Sequence, residues 1–305
     1  MEKVIVVIGP TSVGKTKMGV ELAKALNGEV ISGDSMQIYK KMDIGTAKVT
    51  HQEMEGIVHH CIDIKEPDET YSVKEFQDTV RKLIKDISER KKIPIIVGGT
   101  GLYIKAALYD YEFHETEDDH DSFRKKYQDY DNQSLYDHLY QIDKATAITL
   151  HPNNRQRVLR AIEIYEQTGQ KKSEALASQT HTCLYNAYFV GLTLERSLLY
   201  ERINQRVDTM KNNGLQQEVF QLYQAGLKRE NQSMKAIGYK EWFDYFENQI
   251  SLEEVYENIK KHSRQYAKRQ YTWFKNQFNV HWYDVNLKQF SLTVQEVLND
   301  IKMDH

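Results

Sequence analysis

The apolar run Val4–Ile8 leads directly into Gly9-Pro10-Thr11-Ser12-Val13-Gly14-Lys15-Thr16, and a helix-like stretch follows to Leu26. The octapeptide matches the phosphate-loop pattern G-x-x-x-x-G-K-S/T in full, in the strand–loop–helix setting the pattern requires. In that geometry successive backbone N–H groups and a helix N-terminus point at one spot, which favours an anion. Lys15 adds a point charge for the distal phosphates, and the Thr16 hydroxyl can ligate Mg2+. Gly9, Thr11, Ser12, Val13, Gly14, Lys15 and Thr16 are therefore the expected diphosphate-binding residues. The pattern alone leaves open whether the loop serves ATP or another diphosphate ester.

The first 110 residues alternate strand and helix. Glu29–Ser32 and His60–Ile64 read as strands, and Ile93–Val97 as a buried strand ending in Gly98–Gly101. Apolar residues at Val73, Phe76, Val80, Leu83, Ile84 and Ile87 follow the helical period and predict a helix over Ser72–Arg90. Such alternation implies an α/β fold, a P-loop-type parallel sheet core flanked by helices. Ligands in these sheets bind beyond the C-terminal ends of the strands. The phosphate loop, Gly33-Asp34 and Gly98–Gly101 are then expected to converge on one crevice. From Phe113 to Thr182 the pattern is wholly helical, with Ser122–Tyr130, Ser134–Ile142, Lys144–Leu150 and Asn154–Thr168 as helices, and Tyr185–Leu194 regains strand character. Residues 1–112 and 183–305 thus read as the α/β core, and 113–182 as an all-helical insertion domain. Further helices are expected at Ser197–Asn212, Leu215–Ala225, Met234–Glu247 and Leu252–Phe278, before a last strand, Val280–Val285.

Hydrophobic residues at 40% and charged residues at 28% describe a soluble globular chain. The longest apolar runs are far too short to span a bilayer, so no membrane association is expected. Met1–Lys3 runs straight into the first strand, so no signal peptide is expected. Cys61 and Cys183, far apart, support neither a zinc site nor a disulfide framework and fit a reducing, cytoplasmic compartment. His59 and His60 point to opposite faces of a strand, which argues against a metal site there. The net charge of −3 hides an asymmetry: residues 110–121 hold seven acids, whereas 258–279 hold six Lys or Arg and no acid. A local basic face is what a phosphate backbone would feel.

Asp34 sits where the second strand ends, beside the phosphate loop. A carboxylate there suits a general base for a nucleophile approaching a bound diphosphate ester. It equally suits a helix start, with Gln37 three residues on completing a capping box. The local pattern leaves both open. A hydrolytic ATPase offers a strand-end Asp for Mg2+, but Ile93–Val97 ends in glycines. Those glycines imply close approach to a ligand or to another segment, with Thr100 the polar candidate among them. Arg202 and Arg206 share a helical face and suit either a diphosphate clamp or surface pairs with Glu195, Glu201 or Asp208. Lys261, Arg264, Lys268 and Lys275 fall within about 60° of one helical face, interleaved with Tyr266, Tyr271, Trp273 and Phe274. That is a phosphate-binding stripe or an ordinary amphipathic helix. Arg155, Arg157 and Arg160 form a second basic group after Pro152.

Taken together, these motifs resemble the bacterial tRNA dimethylallyltransferases over nearly the whole chain. The resemblance runs through Gly9–Thr16, Asp34–Tyr39, Met42–Lys48, His59–Asp63, Gly98–Tyr103, Gln156–Ala161, Arg202–Gly214, Ala236–Glu241 and Arg264–Trp273, in the family's order. Ser12-Val13 departs from the family's usual Ala-Ser at positions that contribute mainly backbone. The resemblance implies that the loop holds dimethylallyl diphosphate rather than ATP. The acceptor is then N6 of the adenosine 3′ of the anticodon in a tRNA. It further implies that Asp34 is the base, and that Lys15, Mg2+ on Thr16, and Arg206 (or, failing it, Arg202) stabilise the departing diphosphate. By the same resemblance Asp34, Ser35, Met36, Gln37, Thr100, Gln156, Arg157 and Arg160 contact the tRNA. Lys261, Arg264 and Lys268 of the basic helix would add backbone contacts, and the insertion would clasp the anticodon stem-loop. A monomer is expected. The rival readings are a P-loop small-molecule or nucleotide kinase and a non-catalytic RNA-binding protein with a vestigial loop. The missing strand-end acid counts against the first, and the intact Lys15 and Thr16 against the second.

Overall fold

A computed structural model describes residues 1–111, 113, 120–178 and 181–303. Strand β1 (Lys3–Ile8) runs into the phosphate loop and helix α1 (Lys15–Leu26); β2 (Gly28–Ser32), a short α2 (His51–Met54) and β3 (His59–His60) follow. Then come α3 (Val73–Glu89), β4 (Ile93–Val97) and α4 (Gly101–Leu108). The chain next forms α5 (His120–Lys126), α6 (Asn132–Ile142), α7 (Lys144–Ala147), α8 (Arg155–Thr168) and α9 (Lys172–Ser178). It returns through β5 (Asn186–Thr193), α10 (Arg196–Asn212), α11 (Leu215–Gln224), α12 (Trp242–Phe246), α13 (Leu252–Gln277), β6 (His281–Asp284) and α14 (Phe290–Met303).

The six strands form one sheet in the order β3-β2-β4-β1-β5-β6, and every pair is parallel. The α/β, P-loop-type parallel core read from the sequence is the fold of this chain. Strand β1 lies at its centre, so Val4–Ile8 is buried on both faces, as an apolar run in a parallel sheet must be. Alternation sends Val4, Val6 and Ile8 into one apolar layer and Ile5 and Val7 into the other. The chain first winds to one side of β1, through β4, and later to the other, through β5. That reversal opens a crevice beyond the end of β1.

The chain divides into two compact units, Met1–Tyr109 with Cys183–His305, and Asp110–Thr182. The second unit is helical and has its own core of Leu135, Leu139, Ala147, Val158, Ala161 and Ile162. Arg155 is turned into that unit: its guanidinium donates to the carbonyls of Tyr127 (2.6 Å) and Tyr130 (2.5 Å). Of the acidic stretch 110–121, Glu112, Glu115, Glu117, Asp118 and Asp119 lie outside the described residues.

Two elements differ from expectation. The strand expected over His60–Ile64 pairs only at His59–His60, because Cys61 (φ 60°) and Asp63 (φ 54°) leave the extended region. The helix expected over Met234–Glu247 is a single 3₁₀ turn, Ser233–Lys235, and the short α12. Between them Gly238 (φ +99°) packs against Gly45, a conformation that no helix continues through. Helix α14 lies beyond Val285, where no element was expected.

On the β2–β3 edge, Glu29 is 2% exposed and accepts hydrogen bonds from Arg90, Lys92 (2.8 Å) and His60 (2.8 Å). Arg90 holds its carboxyl well below the usual carboxylate range, against the opposing effect of burial, with Lys92 and His60 adding to the shift. A depressed carboxylate stabilises the fold above its ordinary value near 4.5 and loses that contribution as pH falls. Glu29→Gln is expected to destabilise by about 1–3 kcal/mol at neutral pH, a modest figure because Arg90 and Lys92 stay partly solvated. Its urea midpoint should also fall less steeply than the wild type's below about pH 4.

Candidate active site

The phosphate loop closes tightly at the end of β1. Gly9 has φ +144°, and a Cβ there would lie 2.6 Å from the Leu192 carbonyl oxygen. Ser12 (φ 66°) and Gly14 (φ +107°) occupy left-handed conformations, of the kind from which anion nests are built. Lys15 begins α1 and folds back, donating to the Pro10 carbonyl at 2.7 Å. Its ammonium is pushed down from 10.5 to about 7, first by burial and then by Arg206, against the pull of Asp34.

Both arginines of α10 reach this loop. Arg202 Nε donates to the Ser12 carbonyl at 3.0 Å, and Arg206 Nη1 to Thr11 Oγ1 at 3.3 Å. The acids that offered alternative partners are engaged elsewhere. Glu195 caps α10 through the Leu198 N–H, Glu201 accepts from Gln205, and Asp208 pairs with Lys260.

No helix starts at Asp34. Its Oδ1 accepts from the Met36 N–H at 2.9 Å, two residues on, and the chain runs through bends and turns over 35–40, with a bridge from Tyr39 to Lys65. The capping-box reading therefore fails, because Gln37 is turned elsewhere. Gln37 accepts from Ser32 Oγ (3.1 Å) and donates to the carbonyls of Thr46 and Ala47. Thr100 Oγ1 accepts from the Ser35 N–H at 3.1 Å and donates to Ser35 Oγ, tying the β4 end to the β2 end.

Gln270, not singled out from the sequence, and Tyr266, read there only as an aromatic of the basic stripe, complete the site. Gln270 on α13 accepts from the Thr11 N–H (2.9 Å) and donates to the Gly99 carbonyl (3.0 Å), clipping two loops together. Tyr266, one turn earlier, donates to the same carbonyl at 3.3 Å. Its hydroxyl is pushed up to about 12, chiefly by burial. Their only sequence signal was membership of the basic aromatic stretch. The glycines after β4 serve the approach of other chain segments. A Cβ at Gly98 would lie 2.3 Å from Gly33 backbone, at Gly99 2.2 Å from Gln270, and at Gly101 2.1 Å from Trp273.

Two cavities adjoin here. One of about 720 Å³ contains the phosphate loop, Thr16, Arg202, Lys48 and Gln270. The other, about 340 Å³, is lined by Ser35, Met36, Ile203, Val207, Ile237 and Arg269. Thr11, Ser12, Asp34, Thr46, Arg206, Met210 and Tyr266 face both. Of the basic helix residues, Arg264 donates to Asn204 Oδ1 of α10 at 2.5 Å and so joins two helices, while Lys261 and Lys268 are exposed. Gln156, Arg157 and Arg160 lie on α8 of the second unit, with Arg160 paired to Glu163 at 2.7 Å.

Among the described residues no three His, Cys, Asp or Glu side chains group as a metal site. Mg2+ needs no such cage: it keeps several waters and binds through one or two protein oxygens plus substrate phosphates. The Thr16 hydroxyl, which lines the larger cavity beside Lys15, fits that sparse requirement.

The family model described as IPP transferase matches residues 37–277. A tRNA dimethylallyltransferase of Anoxybacillus flavithermus is 53% identical over 302 residues, 99% of this chain and 96% of that protein. The chain belongs to the IPP transferase family. Among solved structures, the tRNA delta(2)-isopentenylpyrophosphate transferase of Staphylococcus epidermidis is 47% identical, with a TM-score of 0.75 and full coverage of both chains. A eukaryotic dimethylallyltransferase acting on tRNA is 33% identical, with a TM-score of 0.87, covering 100% of this chain and 80% of that one. The core of this IPP transferase family member thus keeps its shape across wide sequence divergence. No helix among its described residues is long and apolar enough to cross a membrane.

A bound diphosphate should reverse the pressure that keeps Lys15 near neutrality. At about pH 8 the wild type is expected to take up more protons than Lys15→Met on binding inorganic diphosphate. Titration calorimetry in buffers of different ionisation enthalpy reads the difference directly.

Proposed function

We propose that this chain transfers the dimethylallyl group of dimethylallyl diphosphate to N6 of the adenosine 3′-adjacent to the anticodon of a tRNA, releasing diphosphate. The observation that carries the reading is the meeting of Asp34 with Arg206 where the two cavities join. The larger cavity, with the nest, Lys15 and Arg202, suits a diphosphate. The smaller one suits an acceptor base extruded from the anticodon-loop stack. Relatives named for this activity support the assignment.

An exocyclic aryl amine is a weak nucleophile, so positioning and a base both matter. Asp34 orients the amine and takes its proton as the nitrogen lone pair attacks the allylic carbon. The carbon–oxygen bond breaks, and its electron pair leaves on the diphosphate. Charge growing on that group meets the loop N–H groups, Lys15, Arg202 and Arg206. Mg2+, held by Thr16, would neutralise part of the diphosphate charge. Ser35 and Met36 line the acceptor side, Gln37 lines the larger cavity, and Thr100 holds Ser35 in place. Lys261 and Lys268 supply backbone contacts, and Gln156, Arg157 and Arg160 of the helical unit grip the anticodon stem-loop. Arg264 contributes indirectly, by fixing α13 to α10.

Mass spectrometry of unmodified tRNA incubated with the protein, Mg2+ and dimethylallyl diphosphate should show one added five-carbon unit on that adenosine, with no need for ATP. No mass gain, with ATP consumed when small acceptors are offered, would replace this reading with a kinase. Asp34→Ala is expected to lower turnover about 10²–10⁴-fold, and Arg206→Ala about 10²–10³-fold. Joint replacement of Lys261 and Lys268 by Ala should weaken tRNA binding and reduce the salt dependence of its affinity by a slope of about 1–2.

A further inference from the structure

Glu218 on α11 lies in neither cavity, yet it holds part of the wall of both. Its Oε2 accepts from the N–H groups of Asp43 (2.9 Å) and Ile44 (2.8 Å). Its Oε1 accepts from the N–H of Gly45 (3.1 Å) and from the Tyr239 hydroxyl (2.6 Å). Four donors converge on one carboxylate, and three are consecutive backbone amides, a nest of the kind that binds anions. No Lys or Arg among the described residues pairs with Glu218, so these dipoles are its counter-charge.

The segments it gathers are those that shape the site. Asp43, Ile44 and Thr46 line the larger cavity, and Gly45 and Thr46 the smaller. Tyr239 presses on Gly45, where a Cβ would lie 2.4 Å from its ring, and its neighbours Ile237 and Lys240 line the smaller cavity. Helix α11 continues from α10, which carries Arg202 and Arg206, through Gly214 (φ +92°). From the opposite side, Gln37 and the buried Lys48 hold the same loop; Lys48 donates to the Tyr39 carbonyl (2.7 Å), Asp43 (2.6 Å) and Asp63 (2.6 Å). Of these ties, Glu218 is the one that links the loop to the arginine-bearing helix pair.

We propose that Glu218 is a positioning residue for the transfer: it fixes the 43–46 loop, and with it the wall between the two cavities, relative to Arg202 and Arg206. The inference rests on the transferase reading above. Misplacement of that wall should separate the amine from the allylic carbon while leaving the outer RNA contacts intact.

The test is Glu218→Ala with Glu218→Gln beside it, followed by steady-state kinetics and amide hydrogen exchange. Glu218→Ala is expected to lower kcat about 100-fold and to leave the KM for tRNA within about twofold. Exchange at the amides of residues 43–45 should accelerate. Added formate, a carboxylate small enough for the vacated nest, should restore part of kcat in Glu218→Ala and leave the wild type unchanged. Glu218→Gln should fall between the two. Unchanged kcat despite faster exchange overturns the proposal, as does lost kcat with unaltered exchange at residues 43–45. If Glu218→Ala does not fold, the same kinetic and exchange readouts on the near-isosteric Gln variant decide. A wild-type protein that transfers no five-carbon group defeats the transferase reading instead, while the exchange data still report on the nest.

Discussion

Burying like charges together is unfavourable, and this fold does so at the end of β1. Lys15, Arg202 and Arg206 crowd the phosphate loop, and Asp34 offsets only part of the effect on Lys15 and Arg206. The Lys15 ammonium is depressed first by its burial and then by the Arg206 charge. In a low-dielectric cavity such charges interact far more strongly than in water. The arrangement therefore persists only because rigid elements impose it. Its benefit is preorganisation: an anion that develops there meets donors already in place.

Three helices impose it. Helix α1 presents Lys15 and Thr16, α10 delivers both arginines one turn apart, and α13 locks the loop through Gln270. The last contact explains why the β4 loop is glycine-rich. A side chain at Gly99 or Gly101 would displace Gln270 or Trp273, and the clip would open. Packing of the basic helix and geometry of the phosphate loop are thus one constraint. The outer face of that helix keeps Lys261 and Lys268 in solvent, and the inner face holds the site.

Much of the fold was legible because its signals are local. The run Val4–Ile8 could only be a strand buried on both faces, and the apolar spacing from Val73 to Ile87 could only be a helix with one buried side. Where local pattern failed, a distant contact decided. The helix expected over Met234–Glu247 breaks because Gly238 must sit against Gly45, from another part of the chain. The strand expected after His60 stops because Cys61 and Asp63 turn away to bring Asp63 to Lys48. At Asp34 the sequence allowed a helix cap. The structure chose a turn because Gln37 is drawn to Ser32 and to the carbonyls of Thr46 and Ala47.

What the sequence alone determined was the phosphate loop, the alternation that builds a parallel sheet, and the residue types gathered near Asp34. Each depends on neighbours within a few turns of chain, where spacing dictates which side chains share a face. Only the tertiary structure decided where Arg202 and Arg206 point, that Gln270 and Tyr266 belong to the site, and that Glu218 holds its wall. The ties concerned join Thr11 to Gln270 across 259 residues, Ser12 to Arg202 across 190 and Ile44 to Glu218 across 174. No periodicity encodes such pairs, because they exist only once the sheet has closed and set its helices against the loops.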